Sequence, residues 1–155
     1  MDRFIMKISM GYPTAGEELE IMERAENGSD IKNVSAVMSV SDVEDMIAEA
    51  AKTVTAPSIK QYIIDLVTAT RSSDYVKLGV SPRGSIALLK ASKAYAYVEG
   101  RSYVVPDDVK AVMSSVLAHR LMLSPKGKSA FASNEEAMEQ IAMTVSAPVD
   151  GGTKA

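Results

Sequence analysis

The sequence of 155 residues contains no cysteine, no tryptophan and only one histidine. Without cysteine the chain can form no disulfide, no thiolate nucleophile and no thiolate metal site. The single histidine, His119, has neither the clustered partners of a metal site nor a serine with which it would credibly form a catalytic triad. Thiol chemistry, triad hydrolysis and histidine-based metal catalysis are therefore not expected.

Positive charge and long apolar runs are also scarce. Seventeen basic against 20 acidic residues give a net charge of −3 and a pI near 5.2, whereas nucleic-acid binding requires a basic face. The longest apolar stretch is interrupted by Lys90 and Lys93, so none reaches membrane-spanning length, and the first residues lack the apolar core of a secretory signal. We expect a cytoplasmic protein whose partners are neither nucleic acids nor membranes.

Nucleotide hydrolysis lacks its usual machinery in this sequence. There is no G-x-x-x-x-G-K-S/T phosphate loop and no hydrophobic run ending in paired acids that could bind magnesium. Acidic pairs do occur, but each lies in the first turn of a predicted helix: Glu17-Glu18, Asp107-Asp108 and Glu135-Glu136. The helix dipole favours negative charge there, so we interpret them as parts of a solvated face rather than as catalytic carboxylates.

Helical periodicity dominates what the sequence does contain. Residues 4–10 read as one strand, but no later segment offers a convincing partner, so the other strands of its sheet are expected outside this sequence. Apolar spacing and capping signals predict helices at about residues 14–26, 41–52, 57–71, 82–99, 106–121 and 133–145. The predicted fold is mainly α, a helical bundle preceded by an orphan strand and helix.

The second predicted helix has a capping-box pattern at its start, formed by Ser41 and Glu44. Its apolar residues recur at helical spacing and are expected to be buried: Val43, Met46, Ile47 and Ala50. Residues 72–78 are predicted to be a loop, and residues 123–127 are predicted to end the fifth helix.

Residues 79–85, Gly-Val-Ser-Pro-Arg-Gly-Ser, start the most clearly delimited helix. Ser81 is a favourable N-cap, and Pro82 suits the first helical position because its φ is already fixed. Gly100 fits the left-handed residue that closes many helices. Arg83 breaks this pattern, since it places a cation in the first turn, where the dipole is already positive. A helix N-terminus beside an arginine is well suited to binding a phosphate.

Five stretches of the sequence, in this order, resemble the MoxR group of AAA+ ATPases. They are similar to that group's D-R-F, T-R, G-x-S-P-R, Y-V-x-P-x-D-V and L-x-H-R-L motifs: Asp2-Arg3-Phe4, Thr70-Arg71, Gly79-Val80-Ser81-Pro82-Arg83, Tyr103-Val104-Val105-Pro106-Asp107-Asp108-Val109 and Leu117-Ala118-His119-Arg120-Leu121. The resemblance extends to about residue 149. The lids of magnesium chelatases and minichromosome-maintenance ATPases are the nearest alternatives.

The resemblance implies that the sequence is the C-terminal part of a longer ATPase. Residues 1–27 would be the last strand and helix of its α/β core, residues 28–149 its helical lid, and residues 150–155 a flexible tail. The phosphate loop and the magnesium-binding acids would lie upstream. ATP and Mg²⁺ are therefore implied for the whole protein, whereas this chain alone is expected neither to bind a cofactor tightly nor to hydrolyse ATP.

The resemblance also implies roles for two arginines. Arg83 would be the sensor-2 arginine, which reaches from the lid to the γ-phosphate, with Ser81 and Pro82 beside it in the nucleotide site. Arg3 would be an arginine finger inserted into the neighbouring subunit's site in a hexameric ring. A guanidinium can stabilise the charge of phosphoryl transfer in both positions. The implied function is ATP-driven, chaperone-like remodelling, often with von Willebrand factor A domain partners.

Two features depart from the group, and one residue has no assigned role. Gly84 stands where alanine is common and should weaken the first helical turn. Arg3 lies so near the start of the chain that it is expected to be loosely placed. Arg71 ends a helix, where a cation is favourable in any case. A different class of function, a stand-alone helical interaction module or adaptor without nucleotide chemistry, is the alternative interpretation.

Overall fold

The computed structural model describes residues 3–28 and 35–148. The predicted tail at 150–155 lies outside these residues, as do residues 29–34 between the first two predicted helices. The described chain is mainly helical, as the sequence predicts, with one short two-stranded sheet. Within the same residues, no helix combines the length and the apolar character needed to cross a membrane.

Six of the helices correspond to predicted ones, and a further short helix, α6, does not. The α-helices of the described residues are α1 (Ala15–Glu26), α2 (Val40–Lys52), α3 (Pro57–Ser72), α4 (Pro82–Val98), α5 (Pro106–Leu117), α6 (Pro125–Ala130) and α7 (Asn134–Ala142). A 3-10 helix (Ala118–Arg120) follows α5, and the two strands are β1 (Val76–Leu78) and β2 (Met122–Leu123).

The core is built from the apolar faces of α3, α4, α5 and α7. The inward positions predicted for α3 are all buried: Ile59, Tyr62, Ile63, Leu66 and Val67. They belong to one cluster with side chains of the other three helices, among them Leu88, Val116, Leu117 and Met138, none of which is exposed. Burial of an apolar side chain of this size contributes about 1.5–3 kcal/mol, so this cluster supplies the main stabilisation of the bundle.

A short antiparallel sheet, which the sequence does not predict, pairs the segment between α3 and α4 with the segment that follows the 3-10 helix. Val76 of β1 is opposite Leu123 of β2, and the Ser124 N–H donates to the Tyr75 carbonyl at 2.9 Å. Gly127 of α6 lies against that same carbonyl, where a methyl group would overlap it. The predicted loop at residues 72–78 is therefore partly a strand, fixed from the far side by α6.

The start and the burial of α2 differ from the prediction. Its N-cap is Ser39, whose hydroxyl accepts from the Asp42 N–H at 3.1 Å, instead of the predicted Ser41 with Glu44. The prediction that its apolar face is buried is wrong. Ala50 is half-buried, and the other three side chains are more exposed: Val43 (41%), Met46 (39%) and Ile47 (65%). The helix packs mainly against α4, which covers only one side of it.

The helix α1 has the predicted bounds but packs little. Thr14 and Glu17 form a reciprocal capping box, in which the Thr14 N–H donates to the Glu17 carboxylate at 2.7 Å. The helix ends at Asn27, and Gly28 follows with a positive φ of 63°. None of its residues is buried. Residues 4–10, expected to be a strand, pair with no other strand in the described part of the chain, which agrees with a strand that needs a sheet from elsewhere.

Candidate functional site

The predicted site residues Ser81, Pro82 and Arg83 form the start of α4. Ser81 occupies the N-cap with φ −74° and ψ 164°, and Pro82 is the first helical residue, as predicted. The Ser81 hydroxyl does not accept a capping hydrogen bond; its carbonyl instead accepts from the Gly84 N–H at 2.8 Å. Arg83 is exposed and makes no hydrogen bond or ion pair within residues 3–28 and 35–148. Its guanidinium is thus available to a ligand.

The turn before α4 is fixed by the end of α3. The Thr70 hydroxyl accepts from the Val80 N–H at 3.1 Å and donates to the Val67 carbonyl at 2.6 Å. Arg71 donates from Nε to the Val80 carbonyl at 2.8 Å. Both backbone polar groups of Val80 are therefore held by the Thr-Arg pair that the sequence left without a role. These bonds set the position from which Arg83 projects.

Two glycines permit this close packing. A Cβ atom on Gly79 would lie 2.8 Å from the Arg71 Cα, so only glycine fits this turn against α3. A methyl group on Gly84 would overlap the side chain of Val80, which is 1% exposed and has no room to move. The departure from alanine at position 84 therefore follows from the bulk of Val80 rather than from any need for helix flexibility.

Arg83 shares a cavity with Arg3. The cavity is open to solvent and has a volume of about 390 Å³. It is lined by four cationic and three apolar side chains: Arg3, Arg83, Lys90 and Arg120 with Ile5, Ile86 and Ala87. Arg3, like Arg83, has no hydrogen bond or ion pair in the described part of the chain. The structure thus brings together the two arginines that the sequence singles out.

The cavity suits an anion and offers no catalytic group of its own. Four cations with no acidic residue among the lining side chains create a positive potential, although solvent and salt screen it at an open surface. Neither a nucleophile nor a general base lines it. The described residues also contain no group of His, Cys, Asp and Glu that could hold a metal ion. This arrangement can bind and orient negatively charged oxygens but cannot by itself activate water.

One of the acidic pairs is not a solvated face, contrary to prediction. Asp108 is 1% exposed and accepts two hydrogen bonds from the Arg101 guanidinium and one from the Val105 N–H at 2.8 Å. Burial raises the pKa of Asp108, but the hydrogen bonds from Arg101 and Val105 outweigh it and hold the pKa below its usual value. Asp107 beside it is exposed, as expected. Asp108 therefore ties the start of α5 to Arg101, in the connection between α4 and α5.

His119 lies in the 3-10 helix that follows α5, because α5 ends at Leu117 instead of extending to residue 121 as predicted. Its Nδ1 is 3.2 Å from the Ser115 carbonyl, and its Nε2 is 3.3 Å from the Phe4 carbonyl. The contact with Phe4 spans 115 positions of sequence and could not be foreseen from local pattern.

Comparison with known proteins gives concordant results for sequence and fold. Residues 68–142 match the AAA lid domain family. The chain is 40% identical over 149 residues to the uncharacterised protein YeaC of Bacillus subtilis, which covers 96% of this chain and 47% of that protein. It is 33% identical over 156 residues to the chaperone MoxR1 of Mycobacterium tuberculosis, and this match covers 95% of this chain and 41% of that protein.

A solved structure also has this fold over nearly the whole chain. The crystal structure of a putative ATPase from Cytophaga hutchinsonii superposes with a TM-score of 0.81 at 32% identity, covering 96% of this chain and 48% of that one. The chain therefore spans a little under half the length of these relatives.

Proposed function

The chain belongs to the MoxR group of AAA+ proteins, and from this premise we propose that it serves as the lid and adjoining end of the ATPase core in a longer, ATP-hydrolysing protein. Residues 1–27 are then the end of the α/β core, and residues 28–149 are the lid. The exposed apolar residues of α1 support this division, because another layer of protein could cover them: Leu19 (58%), Ile21 (55%) and Met22 (61%).

The observation that carries this proposal is the position of Arg83. It lies in the first turn of α4, on a turn held by Thr70 and Arg71, and it has no partner among the described residues. A guanidinium carried on the first turn of a firmly held helix can bind phosphate oxygens with both charge and geometry. We assign it to the γ-phosphate of ATP as the sensor-2 arginine, with Ser81 and Pro82 shaping the approach. Mg²⁺ and the phosphate loop belong to the part of the protein outside this chain.

Arg3 is assigned to the nucleotide site of a neighbouring subunit in a hexameric ring. Its exposed side chain, with no bond to any described residue, supports a role as an arginine finger. A finger supplied in trans makes hydrolysis depend on assembly. The work performed is chaperone-like remodelling of partner proteins, von Willebrand factor A domain proteins among them; the word chaperone in one relative's name supports this class.

The proposal predicts that the 155-residue chain alone does not turn over ATP. It has no phosphate loop, and its cationic cavity contains no group that could activate water. Phosphate release from Mg·ATP should stay at the background rate of buffer, whereas a protein that carries this chain after an ATPase core should hydrolyse ATP. Titration of the isolated chain with ATP should show weak, salt-sensitive binding at most. Clear turnover by the purified chain would contradict the proposal.

A further inference from the structure

The guanidinium of Arg120 bonds to two distant parts of the chain. Its Nε donates to the Val116 carbonyl at 2.8 Å, within α5. Its Nη2 donates to the Phe4 carbonyl at 2.6 Å and lies 3.3 Å from the Ile5 carbonyl. The planar fork of an arginine carries its donors on three separate nitrogens, so it can reach acceptors that lie far apart, whereas the donors of a lysine share one nitrogen. Arg120 therefore links the lid to the backbone directly after Arg3.

Other contacts hold the same N-terminal residues against the lid. The Lys7 N–H donates to the Ser115 carbonyl at 2.8 Å, and the Lys7 ammonium forms an ion pair with Glu135 at 3.2 Å. His119 and Arg120, which are adjacent in sequence, both contact the Phe4 carbonyl. Residues 4–7 thus lie along the end of α5 and the start of α7. Arg3 is the residue directly before this fastened stretch.

The aliphatic part of the Arg120 side chain lies beside the start of α4. A Cβ atom on Gly84 would be only 3.3 Å from the Arg120 Cδ, so the side chain packs over the helical turn that carries Arg83. Arg3, Arg83 and Arg120 line the same cavity. A displacement of the α4 turn would therefore press directly on the side chain that holds Phe4 and Ile5.

We propose that Arg120, assisted by His119, is a positioning residue that fixes Arg3 relative to the lid. This inference rests on the proposed function, in which Arg83 responds to nucleotide within its own subunit and Arg3 acts on the neighbour. Movement of the lid when the γ-phosphate is lost changes the position of α4, and Arg120 carries that change to the segment behind Arg3. The L-x-H-R-L stretch then couples the nucleotide state of one subunit to the finger that it offers to the next.

The test uses mixed rings of the full-length protein, formed by co-expression of two variants. Each site takes Arg83 from the subunit that holds the nucleotide and Arg3 from its neighbour. Arg120→Gln alone should lower ATP turnover about 10- to 100-fold, because a misplaced finger loses its alignment. Mixed with Arg83→Ala subunits it should regain up to about a quarter of the wild-type turnover, since that share of interfaces pairs an intact Arg83 with a positioned Arg3. Mixed with Arg3→Ala subunits it should regain none.

The mixture of Arg3→Ala with Arg83→Ala subunits tests the assignment of Arg3 to the neighbouring site separately from the positioning role of Arg120. If this mixture fails to regain activity, the assignment of Arg3 to the neighbouring site is wrong and the inference falls with it. If it regains activity but Arg120→Gln with Arg83→Ala does not, Arg120 is needed for folding of the lid alone and the inference is overturned. Normal turnover by Arg120→Gln overturns it as well.

Two further variants, His119→Gln and Arg24→Gln, serve as a substitute and as a control. If Arg120→Gln fails to fold, His119→Gln replaces it, because this change removes only the weaker contacts to Phe4 and Ser115. His119→Gln should then lower ATP turnover less than Arg120→Gln does, and its mixture with Arg83→Ala subunits should again regain activity. Full turnover by His119→Gln alone, or no recovery in that mixture, overturns the inference. Arg24→Gln is the matched control, since among the described residues Arg24 pairs only with Glu20, at an exposed position on α1, and its replacement should leave turnover unchanged.

Discussion

Replacing Arg83 with alanine in the complete ATPase is expected to lower ATP turnover by about 100- to 1,000-fold, the cost of losing a fixed donor to the transferring phosphate. The variant should remain folded, because Arg83 is exposed and bonds to no described residue of its own chain. Steady-state phosphate release measures the first effect, and thermal unfolding followed by circular dichroism measures the second.

The control for this variant is Lys60→Ala. Lys60 is also an exposed cation on a lid helix, α3, but it lies outside the cationic cavity. Its removal changes the net charge equally and should leave turnover within about twofold of wild type, since screened surface charges contribute little. Unchanged turnover in Arg83→Ala would instead make Arg83 an ordinary solvated cation and would favour the adaptor interpretation.

Replacing Arg101 with alanine is expected to lower the free energy of unfolding by about 1–3 kcal/mol, because it leaves the carboxylate of Asp108 without its charged partner. Asp108 is 1% exposed, so the loss of both hydrogen bonds leaves its carboxylate short of partners in a largely buried position. The Val105 N–H remains as a donor and limits the loss. Urea denaturation of the chain, monitored by circular dichroism, measures the change in stability.

The matched control is Lys110→Ala, on α5, the helix that also carries Asp108. Lys110 forms an exposed ion pair with Asp107 at 3.0 Å, and its loss should cost about 0–1 kcal/mol. The pH dependence of the free energy of unfolding should also differ between the Arg101–Asp108 pair and the Lys110–Asp107 pair. Since the folded-state pKa of Asp108 is lowered, its contribution is present above the usual aspartate pKa of about 3.9 and is lost as the pH falls through the folded value. Arg101→Ala should weaken this acid-dependent loss, and equal destabilisation by both variants would contradict the account.

Local sequence chemistry predicted where most helices begin. The reciprocal bonds of Thr14 and Glu17, and the bond from the Glu136 N–H to Ser133, involve residues three apart, so the pattern alone identifies them. The same rule failed at α2, where Ser39 with Asp42 and Ser41 with Glu44 both fit it. The two overlapping capping patterns can be told apart only by the backbone conformation of the residues before α2. The sequence does not show that conformation.

Burial was predicted less well, because spacing shows which face of a helix is apolar but not what covers it. The faces of α3 and α2 have the same pattern, yet Leu66 is fully buried and Ile47 is 65% exposed. The difference is that α3 packs against several elements of the bundle, whereas α2 packs mainly against α4. The short sheet was missed for a related reason, since pairing of two or three residues is set by tertiary contacts.

Within the candidate site, sequence identified the ligand-facing residues better than the residues that hold them. Arg83 was found because it violates the charge preference of a helix start, a local signal. The bonds from Arg71 to Val80, from Arg101 to Asp108 and from Arg120 to Phe4 join residues 9, 7 and 116 positions apart. No periodicity connects such pairs. The T-R and L-x-H-R-L stretches were visible in the sequence, but only the fold gives them a partner.

The central claim, that Arg83 contacts the γ-phosphate, is tested most directly by comparing affinities for tri- and diphosphate. Calorimetry on the complete protein would measure binding of a non-hydrolysable ATP analogue and of ADP before and after Arg83→Ala. Affinity for the ATP analogue should fall about 10- to 100-fold, the value of a charge-assisted hydrogen bond, while affinity for ADP stays the same. Equal losses for both nucleotides, or no loss for either, would contradict it.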